Sequence, residues 1–177
     1  MSKQNFRITL LLIFLFFVGL IAIFFVYKEK KNYLKKDIVP IPTIVVREKV
    51  KVIRVIDGDT IVIEGNIKVR YIGMNTPELV DPRKSLQCFS VEASDKNKEL
   101  VLGKEIEMEK DISEIDKYGR LLRYVYVDGI MINKLLIDEG FANIDTVVPD
   151  IKYKEIFKEA EKQARSENIG LWEKCKK

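Results

Sequence analysis

Three short clusters hold the residues best suited to chemistry. Asp57-Gly58-Asp59-Thr60 is the first, Arg70 followed by Asn75-Thr76-Pro77-Glu78 the second, and Asp116-Lys117-Tyr118-Gly119-Arg120 the third. Together they offer carboxylates, an amide, hydroxyls and two guanidinium groups. The 177-residue chain contains no histidine, which excludes Ser-His-Asp triads, Cys-His dyads, His-ligated zinc and any mechanism with a His base. Its 2 cysteines are too few for a Cys₄ zinc or iron–sulfur site. Acid–base work therefore falls to carboxylates, Lys, Tyr or metal-bound water.

The elements that must position these clusters follow from periodicity. KVKVIRVI, ending at Ile56, alternates and is β-branched, and Asp-Gly then makes a tight turn. TIVIE and NIKVRYIGM follow, split by Gly65-Asn66, so residues 49–74 read as a three-stranded meander. Pro77 ends strand pairing and makes Asn75-Thr76 a rigid corner. Val91 to Leu102 reads as a helix ended by Gly103, KEIEMEKD as a half-buried strand and RLLRYVYV as a strand closed by Asp128-Gly129. MINKLLIDEG is a short helix with Gly140 at its C-cap. Asp150 is expected to cap a long helix through about Glu167, with Ile151, Ile156, Phe157, Ala160 and Ala164 as its apolar stripe. The order of three strands, helix, two strands and two helices defines an α+β fold, a five-stranded Greek-key barrel of the OB type. Each cluster alone is an ordinary solvated turn. All three flank strands of one small barrel, so their carboxylates and arginines can converge at one end.

The N-terminal part is organised differently. After a flank of residues 1–7, the run from Ile8 to Tyr27 carries no charged residue. Twenty residues at ~1.5 Å rise span ~30 Å, the thickness of a bilayer core. The run is longer than the apolar region of a typical signal peptide and lacks a small-x-small site just beyond it. A retained transmembrane anchor is the expectation, and a cleaved secretory signal the alternative. Residues 28–47, charged and then punctuated by Pro40 and Pro42, read as an extended tether. Charge divides the same way. Residues 1–36 take 7 of the 31 basic residues and 1 of the 27 acidic, leaving the rest with 24 basic and 26 acidic. The body is not basic overall, so binding to nucleic acid requires positive charge concentrated at a site or face. Lysines flank both ends of the apolar run, and a positive-inside count alone would leave the body in the cytoplasm.

IDGDT, then Arg70 four residues ahead of NTPE, then DKYGR, then YVYVDG with its Met131, Asn133, Leu136 and Gly140 resemble the staphylococcal nuclease (thermonuclease) family in that order. The resemblance covers residues 48–174 and leaves 175–177 as a tail. It implies a five-stranded OB barrel with three α-helices that hydrolyses phosphodiesters of DNA and RNA with Ca2+. It assigns the metal to Asp59, the Asn75 position and the backbone carbonyl of Thr76, all oxygen donors as a hard cation requires. It assigns the general base to Glu78 and phosphate binding to Arg70 and Arg120, whose guanidinium forks stay protonated and donate bidentately.

Two positions depart from the family pattern. Asn75 stands where the family has a second calcium aspartate, so one formal charge is lost. Thr146 and Val148 stand where two tyrosines commonly line the nucleotide pocket, so base stacking should be poorer. Tyr118 remains near Arg120, either packing there or serving as a rim aromatic. In the implied fold Cys88 and Cys175 approach each other, and a Cys88–Cys175 disulfide is expected outside the cytoplasm, with two free thiols as the alternative. Trp172 is expected to anchor the C-terminal tail. The resulting expectation is a membrane-anchored, extracytoplasmic, calcium-dependent endonuclease. The alternative is a non-catalytic OB module binding nucleic acid or a protein, which has no reason to keep Arg70, Glu78 and Arg120 together.

Overall fold

A computed structural model describes residues 19–21, 23–24, 47–79 and 86–175. The chain divides into two compact units, Met1–Ile44 and Val45–Lys177. In the first, the described residues are helical and expose Leu20, Ile21, Ile23 and Phe24. The rest of the apolar run and the tether up to residue 46 lie outside the described residues. Among the described residues no helix is long and apolar enough to cross a membrane.

The second unit contains, in order, β1 (Glu48–Val55), β2 (Thr60–Ile63), β3 (Ile67–Tyr71), β4 (Gly73–Asn75), α1 (Ser90–Val101), β5 (Glu105–Glu109), β6 (Leu121–Val127), β7 (Ile130–Met131), α2 (Ile132–Asp138), β8 (Asn143–Asp145), α3 (Lys154–Ser166) and α4 (Leu171–Lys174). β1 is long enough to serve two neighbours. Its first half pairs antiparallel with β5, Glu48 opposite Met108 and Lys51 opposite Glu105. Its second half pairs with β2, Val52 opposite Ile63, after which the register shifts before Arg54. Such a bulge adds twist and lets one strand turn a barrel corner. β2 continues into β3, β5 pairs with β6, and β3 and β6 lie parallel with Arg70 opposite Leu122. That last pairing closes five strands into a barrel without free edges. Val52, Ile61, Val69, Tyr71, Ile106 and Val125 are at most 1% exposed within it. Leu136, Ile137 and Phe157 from α2 and α3 extend the same core.

The sequence-based outline of three strands, helix, two strands and two helices is present, with three corrections. The strand expected to run to Met74 breaks after Tyr71. Gly73 adopts φ +80°, and a Cβ there would lie 2.6 Å from the Phe157 ring. The left-handed turn at Gly73 redirects the chain, so β4 leaves the β2–β3 sheet and pairs with β8, Gly73 opposite Asp145 and Asn75 opposite Asn143. The long helix begins at Lys154 rather than at Asp150. The Asp150 carboxylate accepts instead from the Ser113 N–H at 2.7 Å, and no side chain caps α3. Its buried stripe is Phe157, Ala160 and Ala164, while Ile151 and Ile156 are exposed. A fourth, single-turn helix follows. Trp172 within it is half-buried, with the Arg165 guanidinium 4.0 Å from its ring centroid.

Cys88 and Cys175 form a disulfide across 87 positions of sequence. Closing a loop of that length restricts the unfolded chain by roughly 4–5 kcal/mol in the chain-entropy account. Asn133 performs a non-covalent version of the same task. Fully buried on α2, it accepts from the Val125 N–H at 2.8 Å and donates to the Ile72 carbonyl at 3.0 Å. It thereby joins β6, the break after β3 and α2. Replacing it leaves two buried backbone groups unpaired, at about 1–3 kcal/mol each. Asn133→Ala is expected to lower the unfolding free energy by about 2–5 kcal/mol, read by urea denaturation. A loss below about 1 kcal/mol would show that water replaces the amide there.

Candidate active site at the barrel rim

The β1–β2 turn is built by its own polar groups. The Ile56 N–H donates to the Thr60 carbonyl at 2.9 Å, and the Asp57 carboxylate accepts from the Asp59 N–H at 3.1 Å. A Cβ on Gly58 would fall 2.6 Å from the Thr76 side chain, so only glycine lets Thr76 pack so closely. Helix α1 pins this turn from behind. Asn97 donates to the Asp57 carbonyl at 3.0 Å and accepts from the Tyr71 hydroxyl at 3.0 Å.

Asp59 is 1% exposed. One carboxylate oxygen forms an ion pair with Arg70 and accepts from the Thr60 hydroxyl at 3.0 Å; the other accepts from the Thr76 N–H at 2.9 Å. Arg70 also donates to the Asn75 amide oxygen at 2.8 Å and to the Met74 carbonyl at 3.3 Å. The Asn75 NH₂ turns to the Thr76 carbonyl at 3.1 Å. Four residues nominated from sequence, Asp59, Arg70, Asn75 and Thr76, are therefore in mutual contact.

Arg120 joins them through an intermediary. Its Nε and Nη2 each lie 2.7 Å from Asp116 Oδ2, and Asp116 Oδ1 accepts the N–H groups of Tyr118 and Arg120. Arg120 Nη1 reaches the Thr60 hydroxyl at 3.5 Å. Thr60 thus touches both Asp59 and the second guanidinium. Glu78 is exposed just beyond this cluster, and its charge acts on Arg70. The two arginines and Asp116 open onto a cleft of about 580 Å³, whose lining also includes Tyr118, Asp145 and Val148. Tyr118 is exposed, with the Arg120 guanidinium 5.4 Å from its ring centroid, and Val148 is exposed too.

The charges constrain one another. Burial lowers the Arg70 pKa, and the nearby Arg120 charge lowers it further; Asp57, Glu78 and Asp145 pull it back up. Burial pushes the Asp57 carboxyl up, opposed by Arg70, by hydrogen bonds from Thr60 and by Arg120. At Asp116 burial acts upward, but the hydrogen bonds from Arg120 and Tyr118 outweigh it and hold the carboxyl below its ordinary value.

Asp59, Asn75 and Thr76 present a carboxylate, an amide oxygen and a peptide carbonyl within one contact network. That donor set suits a hard divalent cation and no soft one. It carries a single carboxylate, and among the described residues no group of three His, Cys, Asp or Glu could hold a metal. Three residues beside the arginines had no assigned role in the sequence reading: Thr60, Asp57 and Asp116. The last had a signal, since an Asp two and four residues ahead of a turn's N–H groups is the Asx arrangement.

A small OB-type barrel with arginines and carboxylates interlocked at one rim defines the class. The staphylococcal nuclease homologue family model matches residues 68–174, and the chain belongs to that family. It is 43% identical over 126 residues to the SPbeta prophage-derived endonuclease YokF of Bacillus subtilis (strain 168), covering 68% of this chain and 43% of that protein. It is 41% identical over 125 residues to a thermonuclease of Staphylococcus hyicus, covering 69% and 74%. With a thermonuclease of Staphylococcus intermedius it shares 34% identity over 160 residues, covering 89% and 93%. The chain thus spans less than half the length of the Bacillus endonuclease.

The Asp116–Arg120 pairing has a pH signature. A carboxyl whose folded pKa is depressed adds stability above its unfolded value, near pH 4, and loses it as pH falls through the folded value. The stability difference between wild type and Asp116→Asn is expected to be constant from about pH 8 to 5 and to shrink below about pH 4. Urea midpoints across that range measure it. A difference independent of pH would show that Asp116 is not held ionised by Arg120.

Proposed function

We propose that this chain is a calcium-dependent nuclease that hydrolyses phosphodiesters of DNA, RNA or both, with its domain outside the cytoplasm and tethered to the membrane. The observation that carries the reading is the interlocked Arg70–Asp59–Thr60–Arg120 set, whose two arginines line one cleft, together with an exposed Glu78 whose charge acts on Arg70. Family membership supports it, as does similarity to an endonuclease and to thermonucleases. A binding-only OB module gains nothing from an exposed carboxylate whose charge acts on one of these arginines.

Asp59, the Asn75 amide oxygen and the Thr76 carbonyl are the residues that would hold calcium. When bound, the ion supplies Lewis-acid polarisation of a phosphoryl oxygen. Arg70 and Arg120 bind the phosphate and stabilise the additional negative charge as the attacking water adds to phosphorus. Asp116 fixes the plane of the Arg120 fork. Glu78 takes a proton from the attacking water. The new P–O bond forms as the bond to the leaving ribose oxygen breaks, and that oxygen is protonated, giving a phosphomonoester and an alcohol. The backbone of the substrate lies across the guanidinium pair. Val148 and Tyr118 flank the base with less aromatic surface than a two-tyrosine wall.

Compartment follows from chemistry. Calcium is plentiful outside the cytosol, and the Cys88–Cys175 disulfide persists in oxidising surroundings. The uncharged run from Ile8 to Tyr27 supports an anchor.

The reading is tested with plasmid and RNA substrates, with calcium or chelator. Cleavage with calcium and none with chelator is expected. Glu78→Gln and Arg120→Ala should each lower turnover by roughly 10²–10⁴ with folding nearly intact. Near-wild-type cleavage by both would remove the active-site assignment.

Asn75→Asp restores a carboxylate without adding volume. It should lower the calcium concentration for half-maximal cleavage several-fold and leave the saturated rate within about tenfold. An unchanged midpoint would mean that position 75 does not face the ion. For the anchor, the full chain should remain with membranes through high-salt and carbonate washes. A mature N-terminus between residues 20 and 40 in the medium would show a secreted enzyme instead.

A further inference from the structure

Glu78 follows the short strand β4 on an exposed segment, and its peptide N–H donates to the Gln87 side-chain carbonyl at 2.9 Å. The neighbours of Gln87 are unusually well fixed. The Ser90 N–H donates to the Gln87 carbonyl at 3.1 Å. Phe89 takes a left-handed φ of 69° to start α1, and its ring stacks on Phe141 with centroids 5.4 Å apart. Cys88 is bonded covalently to Cys175 at the end of α4. That end is itself docked: the Leu171 N–H donates to the Gly140 carbonyl at 2.9 Å. A Cβ on Gly140 would lie 2.3 Å from the Ile169 carbonyl oxygen, and one on Gly170 2.4 Å from the Gly140 oxygen. Two glycines thus let α4 sit directly on the end of α2. A rigid path runs from the helical layer through the disulfide to Gln87, and among the described residues Gln87 hands it on to the Glu78 peptide through this hydrogen bond.

An exposed hydrogen bond of this kind adds little to global stability. Its position gives it a different value, because a general base must be held at hydrogen-bond distance from the water it activates. We infer that Gln87, fixed by the Cys88–Cys175 cross-link, is a positioning residue for Glu78, an inference that rests on the reading of Glu78 as the base. Gln87 touches no substrate. It holds the peptide that carries the carboxylate, so its loss affects the chemical step more than substrate binding.

The test uses the full chain in detergent. Gln87→Leu removes the acceptor; Gln87→Glu retains a carboxylate oxygen in its place; Cys88→Ser with Cys175→Ser removes the cross-link. Each is measured for kcat and KM, and Gln87→Leu also in the Glu78→Gln background. Gln87→Leu is expected to lower kcat about 5- to 50-fold with KM within threefold. Gln87→Glu should stay within about threefold of wild type, and the cysteine pair should move kcat in the same direction as Gln87→Leu. In the Glu78→Gln background Gln87→Leu should add no further loss. Hydrogen exchange at the Glu78 amide, followed by NMR, should speed up at least tenfold in Gln87→Leu and not in Gln87→Glu. If Glu78→Gln is crippled while Gln87→Leu matches wild type in kcat and exchange, the positioning role is overturned and the base stands. If Glu78→Gln cleaves at the wild-type rate, the base assignment fails and the inference fails with it.

Discussion

A carboxylate removed from water costs several kcal/mol unless its charge is matched and its lone pairs are filled. Asp59 is such a group, 1% exposed at the junction of β1 and β2. Its partners come from three stretches of chain: Arg70 on β3, Thr60 beside it, and the Thr76 N–H beyond β4. The ladder between β2 and β3 sets Thr60 opposite Arg70, so two of these partners arrive together as soon as that hairpin forms. The third requires the chain to leave the barrel after Tyr71 and return over Gly58. The break at Gly73, the β4–β8 pairing and the missing Cβ at residue 58 all serve that return path. The rim is thus organised around one anionic group that the fold can bury only by bringing the remaining site residues to it.

The same necessity explains which parts of the site were legible in the sequence. Asp59, Arg70, Asn75, Thr76, Glu78 and Arg120 received roles because their motifs resemble those of the family, each cluster alone reading as an ordinary turn. Thr60 and Asp116 lie in the same clusters but received no role. A threonine in a β-branched strand and an aspartate in a turn each have a sufficient local explanation, and their second task depends on what lies across the barrel. The strand break was hidden for a related reason. NIKVRYIGM keeps its alternation through Met74, and the left-handed φ at Gly73 and the Phe157 ring, 84 positions away, together forbid a side chain at residue 73. Asp150 reads locally as a helix cap, yet a loop amide at Ser113 claims its carboxylate first. Local propensity places the elements; long-range competition for hydrogen bonds moves their ends.

Charge within the site is balanced closely enough that each departure from the family pattern has a consequence. Two guanidinium groups face one cleft, and the Arg120 charge makes Arg70 harder to keep charged. Asp57, Glu78 and Asp145 offset this at Arg70, and Asp116 pairs with Arg120. An aspartate at position 75 would add one more negative charge against Arg70; Asn75 offers the same guanidinium a neutral oxygen at 2.8 Å. The substitution therefore leaves the arginine less firmly neutralised within the protein.

The helical layer bears on this rim through rigid elements. α1 holds the first turn through Asn97, α2 ties β6 to the β3 break through Asn133, and α3 fills the space beneath Gly73 with Phe157. Asn97 and Asn133 end on backbone carbonyls of this region, and the Phe157 ring packs where a side chain at residue 73 would sit. The C-terminal segment would be the exception, since α4 is a single turn with no buried residue. A helix so short cannot hold itself in place by burial. The close approach of Gly140 and Gly170 and the disulfide at Cys175 supply the missing constraint, one through backbone contact and the other through a covalent bond. A segment with almost no core of its own thereby becomes a fixed support for the residues that precede α1.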